Sequence, residues 1–348
     1  MTIKDITVGV IGASGYTGSD LIRLLISHPK IDLKYVSANN HAGQRINEIF
    51  PYLKGNINLL LEKWEDINWA DVDVIFSCLP HGIFHEVFQE LPSEKIIIDL
   101  SADFRLTSAE DYAQWYNFDH KSIDAINQFT YGLTELNRSQ IRESTMVACP
   151  GCYPTATLLS LYPLITADLI DPGSVIIDAK SGVSGAGRSP KRDLLFSEIS
   201  ESFRPYSVTG HRHIPEIEQQ LRLYSKKDLK INFIPHLVPM NRGELVTSHL
   251  KLNKQIELNE IIQIYNTLYS NDNFINIMSN GNLPNTINVR GTNNCDVAVI
   301  PGRVDQTITV ISAIDNLVKG SSGQAIQNMN LIYGWPEELG LGHISIFP

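Results

Sequence analysis

The sequence predicts an α/β protein, in which a domain built on a parallel sheet is followed by an α+β domain. The first half alternates short apolar runs with segments of helical spacing, whereas the second half contains more strand-like runs with fewer helices between them. The length of 348 residues leaves room for about two domains. Because no repeat or flexible linker separates the halves, we expect a tight junction near Cys149–Cys152.

The first domain is predicted to cover residues 1–150. A β-branched strand is followed by a helix, and the same alternation then continues, as in βαβ units whose helices cover both faces of a parallel sheet. The predicted elements are the strands Thr7–Ile11, Val72–Phe76 and Ile96–Leu100 and the helical segments Leu21–Ile26 and Phe84–Leu91.

The second domain is predicted to cover residues 151–312 and to contain a mixed or antiparallel sheet. The tail from Ala313 to Gly334 has the pattern of a further helical region. The strand-like runs are Val175–Ala179, Ile231–Pro235, Leu245–Leu252, Thr286–Arg290, Val297–Ile300 and Thr307–Ile311.

Composition excludes several classes of protein. Hydrophobic residues make up 43% and charged residues 19%, which favours a packed core over disorder. A net charge of −10 argues against a general nucleic-acid binder. The longest uncharged run, Ser144–Ala167, contains four prolines or glycines that argue against a membrane span. Four cysteines are too few for a disulfide scaffold, so a reducing cytoplasm is the expected location.

A glycine-rich loop follows the first strand and opens a helix. Glycines allow a tight turn and let backbone N–H groups approach a pyrophosphate, and a helix N-terminus favours an anion. A glycine-rich turn with no ligand is the alternative reading of this GxxGxxG spacing. The predicted cofactor-binding residues here are Gly12, Ser14, Gly15, Tyr16, Thr17 and Gly18, together with Ser77 at the end of a later strand.

The end of the second strand indicates the nucleotide. Sites for NAD usually place a carboxylate there to bind the ribose 2′-hydroxyl, and residues 35–41 contain none. This absence permits NADP, whose 2′-phosphate Ser37 could bind, with Arg45 as a nearby cation. The other reading is that Ser37, Asn39 and Asn40 only form a turn.

Cys152 is the candidate nucleophile. Pro154 suits the first turn of a helix, so the helix is expected to begin at Cys152, where the dipole stabilises a thiolate for acyl transfer. The pair Cys149 and Cys152 also permits a redox or metal motif, although zinc would need two further ligands and no second CxxC exists. An inert buried cysteine is the third reading.

Four further segments carry candidate site residues. Gly182 and Gly185 leave room for a flat ring such as nicotinamide, or belong to an ordinary loop. The two histidines of the motif HRH suit acid/base catalysis, capping or packing better than metal binding, for which no further ligands are apparent. The remaining candidates, which could each bind an anion or form a solvated salt bridge, are Ser101, Arg105 and Arg242.

Taken together, the motifs resemble the N-acetyl-gamma-glutamyl-phosphate reductase family over essentially the whole chain. The resemblance implies a Rossmann-type NADP-binding domain and a catalytic and dimerisation domain related to the semialdehyde and glyceraldehyde-phosphate dehydrogenases. It also implies that segment 313–348 completes the first domain. The motifs are GASGYTG from Gly12, PGCYPTA from Pro150, SGVSGAGR from Ser181, HRHIPEI from His211, PHLVPMNRGE from Pro235 and AIDNLVKGSSGQAIQNMNL from Ala313.

The resemblance also implies roles for individual residues. Cys152 matches the nucleophile, His211 the acid/base, and Asn316 a ligand of the nicotinamide carboxamide. Ser101 and Arg105 look like the phosphate-binding pair of related semialdehyde dehydrogenases. Their positive charge alone assigns two arginines, Arg188 and Arg242, to the substrate pocket. Arg242 is assigned to the α-carboxylate of the substrate.

The activity implied is the NADPH-dependent reduction of N-acetyl-γ-glutamyl phosphate through a cysteine thioester, in arginine biosynthesis, by a homodimer or tetramer without a metal. Aspartate-semialdehyde dehydrogenase and the reductase of a carrier-bound aminoadipyl phosphate remain alternatives. A reading from another class is an NADP-binding redox sensor that uses the CPGC pair. A reversible Cys149–Cys152 disulfide that blocks the enzyme is a further hypothesis.

Overall fold

A computed structural model describes residues 5–346, apart from the side chain of Pro172, as two compact units. The first unit contains the chain up to Pro150 together with Ser321–Gly342. The second begins at Gly151 and extends to Gly320, and the chain from His343 onward belongs to it. The segment that returns to the first unit, Ser321–Gly342, is therefore shorter at both ends than the predicted segment 313–348. Residues 313 and 314 still belong to a strand of the second unit.

The first unit contains a seven-stranded sheet in which every neighbouring pair is parallel, as predicted. Its strand order is β3-β2-β1-β4-β5-β7-β6. Successive strands are added on one side of β1 as far as β3, and from β4 onward they are added on the other side. A dinucleotide fold binds its ligand at such a point, beyond the carboxyl ends of the strands. The strands are β1 (Ile6–Ile11), β2 (Ile31–Ser37), β3 (Leu61–Glu62), β4 (Val74–Ser77), β5 (Ile96–Asp99), β6 (Thr130–Tyr131) and β7 (Met146–Ala148).

Helices of the first unit bury apolar side chains against this sheet, and the C-terminal helix does so with polar residues as well. Asn328 donates to the carbonyl of Gly132 at 2.8 Å and accepts from the Thr134 hydroxyl at 2.6 Å. These bonds satisfy amide groups that burial would otherwise leave unpaired. The helices are α1 (Tyr16–Ser27), α2 (Ile46–Ile49), α3 (Phe84–Val87), α4 (Ala109–Tyr116), α5 (Thr134–Arg142) and α11 (Gly323–Ile332).

The second unit contains a mixed seven-stranded sheet, which confirms the predicted α+β architecture. Its order is β12-β13-β14-β11-β8-β10-β9. The strands are β8 (Ile176–Gly182), β9 (Arg204–Pro205), β10 (Asn232–Val238), β11 (Glu244–Lys251), β12 (Ile275–Ile277), β13 (Cys295–Pro301) and β14 (Thr307–Ile314). The helices are α6 (Cys152–Thr166), α7 (Phe196–Ile199), α8 (His213–Ser225), α9 (Leu258–Leu268) and α10 (Thr286–Val289).

One predicted strand is wrong. Residues 286–290 were expected to be extended because Thr, Ile and Val favour strands, but Thr286–Val289 is a short helix. The side chain of Asn285 caps it by accepting from the N–H of Ile287 at 3.2 Å. A good cap outweighs a weak β propensity in so short a segment.

Helix α6 is the buried centre of the second unit. It packs against α8, β11 and β14, and its apolar residues surround the axis instead of forming one stripe. The predicted helical tail is only partly helical, since Ala313 and Ile314 end β14 and a π-helical turn, Val318–Ser322, precedes α11. Within residues 5–346, no helix is both long and apolar enough to cross a membrane.

Candidate active site

The glycine-rich loop of the first unit connects β1 to α1. Gly12 has φ +81°, a conformation that L side chains rarely adopt, and a Cβ there would lie 2.8 Å from the Cys78 carbonyl. A Cβ on Gly18 would lie 2.6 Å from the Gly12 oxygen. Helix α1 begins after Gly15, and no described side chain caps it. The loop therefore suits a pyrophosphate, which would accept from the first-turn N–H groups.

The residues predicted to bind the nucleotide ribose are arranged differently from the expectation. Ser37 is only 1% exposed, and its carbonyl accepts from the N–H groups of Gly12 and Ala13 at 3.1 and 2.8 Å. The Ser37 carbonyl thus holds the glycine loop in place, and the Ser37 side chain is buried. The guanidinium of exposed Arg45 donates to the Asn58 carbonyl at 3.0 Å.

Two other features concern the same part of the first unit. Asn39 contacts the carboxylate of Glu65 at 3.5 Å, so a carboxylate does lie beside the β2 terminus although residues 35–41 contain none.

The hydroxyl of Ser77 is buried and has no hydrogen-bond partner within residues 5–346. Ser77 is therefore a polar group at the sheet's carboxyl edge that a ligand would satisfy.

The predicted anion-binding pair at the end of β5 is buried. Arg105 is 9% exposed and donates to the carbonyls of Cys149 and Leu100 at 2.7 and 3.1 Å. The Ser101 hydroxyl donates to Asp99 at 2.7 Å. Burial and the nearby charge of Asp103 raise the pKa of Asp99 to about 7, so the cluster gains negative charge near neutral pH.

Cys152 occupies the first position of α6, as predicted. Gly151 is the N-cap in extended conformation, no described side chain caps the helix, and Pro154 lies in its first turn. The side chain of Cys152 is partly buried, and a Cβ on Gly320 would lie 2.7 Å from that of Cys152. The positive helix terminus favours the thiolate of this cysteine.

Both histidines of the HRH motif lie in the same unit. His211 packs edge-on against Tyr153 and Tyr206, with ring centroids 5.6 and 5.4 Å apart. Burial and the neighbouring charge of Arg212 lower the pKa of His211 to about 4. Its Nδ1 accepts from the N–H of His213 at 3.2 Å, so neutral His211 carries its proton on Nε2.

His213 lies against the backbone just before the nucleophile. Its Nε2 would be only 2.5 Å from a Cβ on Gly151, the residue before Cys152. The buried carboxylate of Glu216, one turn along α8, accepts from the Gly151 N–H at 2.9 Å. The bond from Glu216 thus holds the extended residue Gly151. The His213 imidazole lies against that residue, directly before Cys152.

The loop after β8 and the AIDN segment fit together within the second unit. A Cβ on Gly182 would lie 2.8 Å from the Asn241 carbonyl, so this glycine accommodates backbone rather than an open space for a ring. Asn316 accepts from the Gly243 N–H at 2.9 Å and donates to Ser184 at 2.9 Å. Asn316 therefore bridges two loops, while Gly185 is exposed on one of them.

The two remaining predicted arginines differ in environment. Arg242 is 3.5 Å from the buried carboxylate of Asp315, whereas Arg188 lies on an exposed loop. Asp315 also accepts from the N–H groups of Leu317 and Gly291 at 2.8 and 2.7 Å. The arginine at 242 is thus oriented by a fixed buried charge.

Cys149 is more deeply buried than Cys152. It is fully buried, accepts a 3.6 Å contact from Asn328, and burial raises the pKa of its thiol to about 12. Among the described residues the four cysteines form no disulfide, and no group of three or more His, Cys, Asp or Glu side chains is arranged to hold a metal.

Sequence reasoning missed three buried carboxyl groups of the second unit. Glu216 and Asp315 come from distant segments, and so does Glu244, the first residue of β11, which is fully buried. Burial raises the pKa of Glu244 to about 8, and the neighbouring Cys152 thiol opposes that rise. The sequence signal for Glu244 was a glutamate at the end of PHLVPMNRGE, directly before the strand-like run Leu245–Leu252.

Family models match most of the chain. Residues 7–144 match the semialdehyde dehydrogenase NAD-binding domain, and residues 152–316 match the semialdehyde dehydrogenase dimerisation domain. An N-acetyl-gamma-glutamyl-phosphate reductase from Geotalea daltonii is 46% identical over 98% of this chain and 99% of its own. A probable chloroplastic protein of the same name from Arabidopsis thaliana is 44% identical over 99% of this chain and 86% of its own.

Solved structures share the fold at low identity. Aspartate semialdehyde dehydrogenase II from Vibrio cholerae aligns with a TM-score of 0.73 at 15% identity, covering 95% of this chain and 99% of its own. The Candida albicans enzyme with NADP aligns with a TM-score of 0.64 at 14% identity over 95% and 99%. These likenesses confirm the predicted two-domain architecture.

Proposed function

The chain belongs to the N-acetyl-gamma-glutamyl-phosphate reductase family, and from this we propose that it reduces N-acetyl-γ-glutamyl phosphate to N-acetylglutamate 5-semialdehyde and phosphate, a step of arginine biosynthesis. The observation that carries the proposal for the chemistry is the thiol of Cys152 at the N-terminus of α6, which no described side chain caps, with His213 against the preceding residue. That arrangement suits nucleophilic attack on an acyl group.

The first half of the reaction forms a thioester. The Cys152 sulfur attacks the carbonyl carbon of the acyl phosphate, a C–S bond forms, and the C–O bond to phosphate breaks. The thiol proton passes to His213 and from there to the departing phosphate, and the dipole of α6 stabilises the thiolate before attack. Glu216 keeps the Gly151 backbone in place beside that histidine.

The second half reduces the thioester. NADPH, when bound, supplies the hydride that the thioester carbon accepts. The resulting thiohemiacetal on Cys152 collapses, the C–S bond breaks, and the aldehyde leaves with the thiolate restored. The oxyanion that precedes collapse needs a hydrogen-bond donor, and the Nε2–H of His211 is the donor we assign.

This assignment changes the role expected for His211. A histidine whose pKa is about 4 is neutral at pH 7 and donates a hydrogen bond more readily than a proton. We therefore assign proton transfer to His213 and oxyanion binding to His211. Asn316 and Gly182 act as supports of the loop after β8. Arg242 remains our candidate ligand for the α-carboxylate of the substrate, and Arg105 stays a candidate anion ligand of the first unit.

We propose NADP(H) as the cofactor, held at the Gly12–Gly18 loop. The absence of a carboxylate at residues 35–41 supports NADP over NAD, while Glu65 beside Asn39 is the group that a 2′-phosphate would have to displace. Comparing the dissociation constants of NADPH and NADH by fluorescence tests this choice. Equal affinities would contradict it.

The assembly and compartment are proposals too. The dimerisation-domain match at residues 152–316 supports a homodimer or homotetramer. We retain the cytoplasm as the compartment because four thiols with no disulfide suit a reducing environment.

The substrate is tested by running the reaction backwards. NADP⁺, phosphate and a panel of semialdehydes of N-acetylglutamate, aspartate and aminoadipate type are offered, and NADPH formation is followed by absorbance. We expect turnover with the N-acetylglutamate compound only when phosphate is present. Preference for the aspartate or aminoadipate compound would favour the corresponding related enzyme, and NADP binding without phosphate-dependent turnover would favour a redox sensor.

A further inference from the structure

Tyr206, directly after β9, contacts the proposed oxyanion donor His211 but has no role in the proposed reaction. The two rings are nearly perpendicular, with centroids 5.4 Å apart and an angle of 71° between their planes. Aromatic rings at this distance and angle attract one another, so the contact restrains the imidazole. A side chain that restrains a reacting group is a candidate for a functional role of its own.

Three further rings complete an aromatic cage around His211. The distances between ring centroids are 4.8 Å to His213 of α8, 5.3 Å to Phe233 of β10 and 5.6 Å to Tyr153 of α6. Tyr153 and Phe233 are buried, whereas Tyr206 and His213 are partly exposed. The imidazole is therefore held by residues from four separate parts of the second unit, and Tyr206 shields it on a side that solvent can reach.

Tyr206 is itself fixed through both its backbone and its hydroxyl. Its N–H donates to the Pro235 carbonyl of β10 at 3.0 Å. Its hydroxyl donates to that of Tyr153 at 3.3 Å, and Tyr153 donates in turn to the His236 carbonyl at 3.3 Å. Because Tyr153 lies in the first turn of α6, these bonds connect the Tyr206 ring to the helix that carries the nucleophile. Both hydroxyl bonds are long, so ring packing carries most of the restraint.

The surroundings of His211 favour its neutral form. Protonation would place a charge on a buried ring near the charge of Arg212, and its Nδ1 would have to give up the bond from the His213 N–H. Burial raises the pKa of the Tyr153 and Tyr206 phenols, so both are neutral. The other titratable groups that act on these phenols are Cys152 and Glu244. A neutral imidazole with its proton on Nε2 is the form that this arrangement holds.

We propose that Tyr206 is a positioning residue for His211: its ring closes the aromatic cage, excludes water from the imidazole and holds the Nε2–H in one orientation. The inference rests on the proposed role of His211 as the donor to the oxyanion. A donor that is fixed before the reaction stabilises the developing charge without reorganising, whereas a mobile donor loses much of that effect. The ring of Tyr206 is therefore the part that kcat requires, and its hydroxyl contributes little.

The protonation of His211 is the first readout, because it needs neither substrate nor cofactor. Two-dimensional NMR of protein labelled with ¹³C-histidine follows each imidazole from pH 8 to pH 4.5, and His211→Asn identifies the signal. The pKa of His211 is about 4 in wild type, so this ring should stay mostly neutral over the range. In Tyr206→Ala water reaches the ring, and we expect its pKa to rise by about one unit or more towards 6.5.

The second readout separates kcat from KM. At pH 7 we expect Tyr206→Ala to lower kcat about tenfold and to keep KM within about twofold of wild type, because the donor acts on the transition state. Tyr206→Phe keeps the ring and the backbone bond to Pro235. It should therefore retain the low pKa of His211 and a kcat within about threefold of wild type.

Tyr224→Ala is the matched control. Tyr224 is a partly buried tyrosine of α8 whose ring packs nearly perpendicular to that of Tyr162, with centroids 4.7 Å apart. This variant loses the same phenol ring from the same unit. It should keep the wild-type pKa of His211 and the wild-type kcat.

Any of three results would overturn the inference: a pKa of His211 that stays at about 4 in Tyr206→Ala, a wild-type kcat in that variant, or an equal loss of kcat in Tyr206→Phe. Melting curves check that each variant is folded. If Tyr206→Ala is not, Tyr206→Leu replaces it, since leucine keeps apolar volume without a ring and should shift the pKa in the same direction. Because the titration uses the protein alone, a failure of the proposed reductase activity would leave the pKa result interpretable.

Discussion

Two helix N-termini, those of α1 and α6, use the same backbone device for different anions. Each follows a strand in the sequence and starts after an extended glycine, Gly15 or Gly151, without a side-chain cap among the described residues. Around α1 the close neighbours are backbone atoms, since Cβ atoms on Gly12 and Gly18 would meet carbonyls. The positive end of α1 is therefore left for an anion that arrives with a ligand.

At α6 the group that can become an anion is the thiol of Cys152, the first residue of the helix. Cys152 supplies the sulfur, and ionisable side chains from other segments surround it: His213 and Glu216 from α8 and Glu244 from β11. A bound anion needs only N–H groups, whereas a thiol must also lose and regain a proton. The comparison shows that a helix dipole with free N–H groups suits the binding of an anion. Nucleophilic catalysis by a cysteine also requires titratable side chains near the thiol.

Removing the thiol gives the largest expected effect on this comparison. Cys152→Ala should lower kcat by at least about 10³-fold, because no thioester can form. Its dissociation constant for NADPH should stay at the wild-type value, since the α1 terminus is intact. Stopped-flow absorbance and fluorescence titration measure the two quantities, and a near-native rate would refute the assignment of the nucleophile.

Replacing the imidazole beside Gly151 should give the next largest effect. His213→Asn should lower kcat by about 10²-fold, because proton transfer from Cys152 loses its acceptor. His249→Asn is the control, since His249 lies exposed on β11, where its ring contacts the hydroxyl of Thr309. If both variants retain wild-type kcat, the proton acceptor is another group.

A change at α1 should damage only binding of the nucleotide. Gly18→Ala places a Cβ 2.6 Å from the Gly12 oxygen, so the loop must shift, and we expect the NADPH dissociation constant to rise about tenfold or more. Alkylation of Cys152 should be unchanged. Gly342→Ala, where a Cβ would have no neighbour within 4 Å, should alter neither property. Slower alkylation in Gly18→Ala would mean that the two termini are not independent.

The smallest effect concerns stability and pH. The pKa of His211 is lowered to about 4 in the folded protein, from 6.5 in the unfolded chain. The unfolded state therefore binds more protons between these values, so the stability present above pH 6.5 falls as the pH drops to about 4.

Replacing His211 removes that contribution. Urea unfolding of wild type and His211→Asn at pH 7 and pH 4.5 should show that acidification destabilises the variant less, by about 1 kcal/mol after allowance for partial exposure. An equal loss of free energy of unfolding in both proteins would show that His211 is not the proton-linked group.

Local features of the sequence predicted the two termini, and non-local ones escaped it. The Gly12–Gly18 loop and the start of α6 follow from glycine, Pro154 and a strand–turn–helix pattern within a few residues. Glu244 is brought into the interior of the second unit by the pairing of β11 with β8 and β14, which no local pattern reveals. The same limit explains Ser37, whose position was predicted but whose burial depends on the folded loop.

The central claim, that Cys152 is acylated, is tested most directly by trapping the intermediate. Wild type and Cys149→Ser are mixed with N-acetyl-γ-glutamyl phosphate without NADPH, quenched in acid, and examined by intact mass and peptide fragmentation. Our account predicts one N-acetylglutamyl adduct on Cys152 in both proteins and release of the semialdehyde when NADPH is added before the quench. An adduct on another residue, or reduction of the substrate with no adduct formed on Cys152, would contradict it.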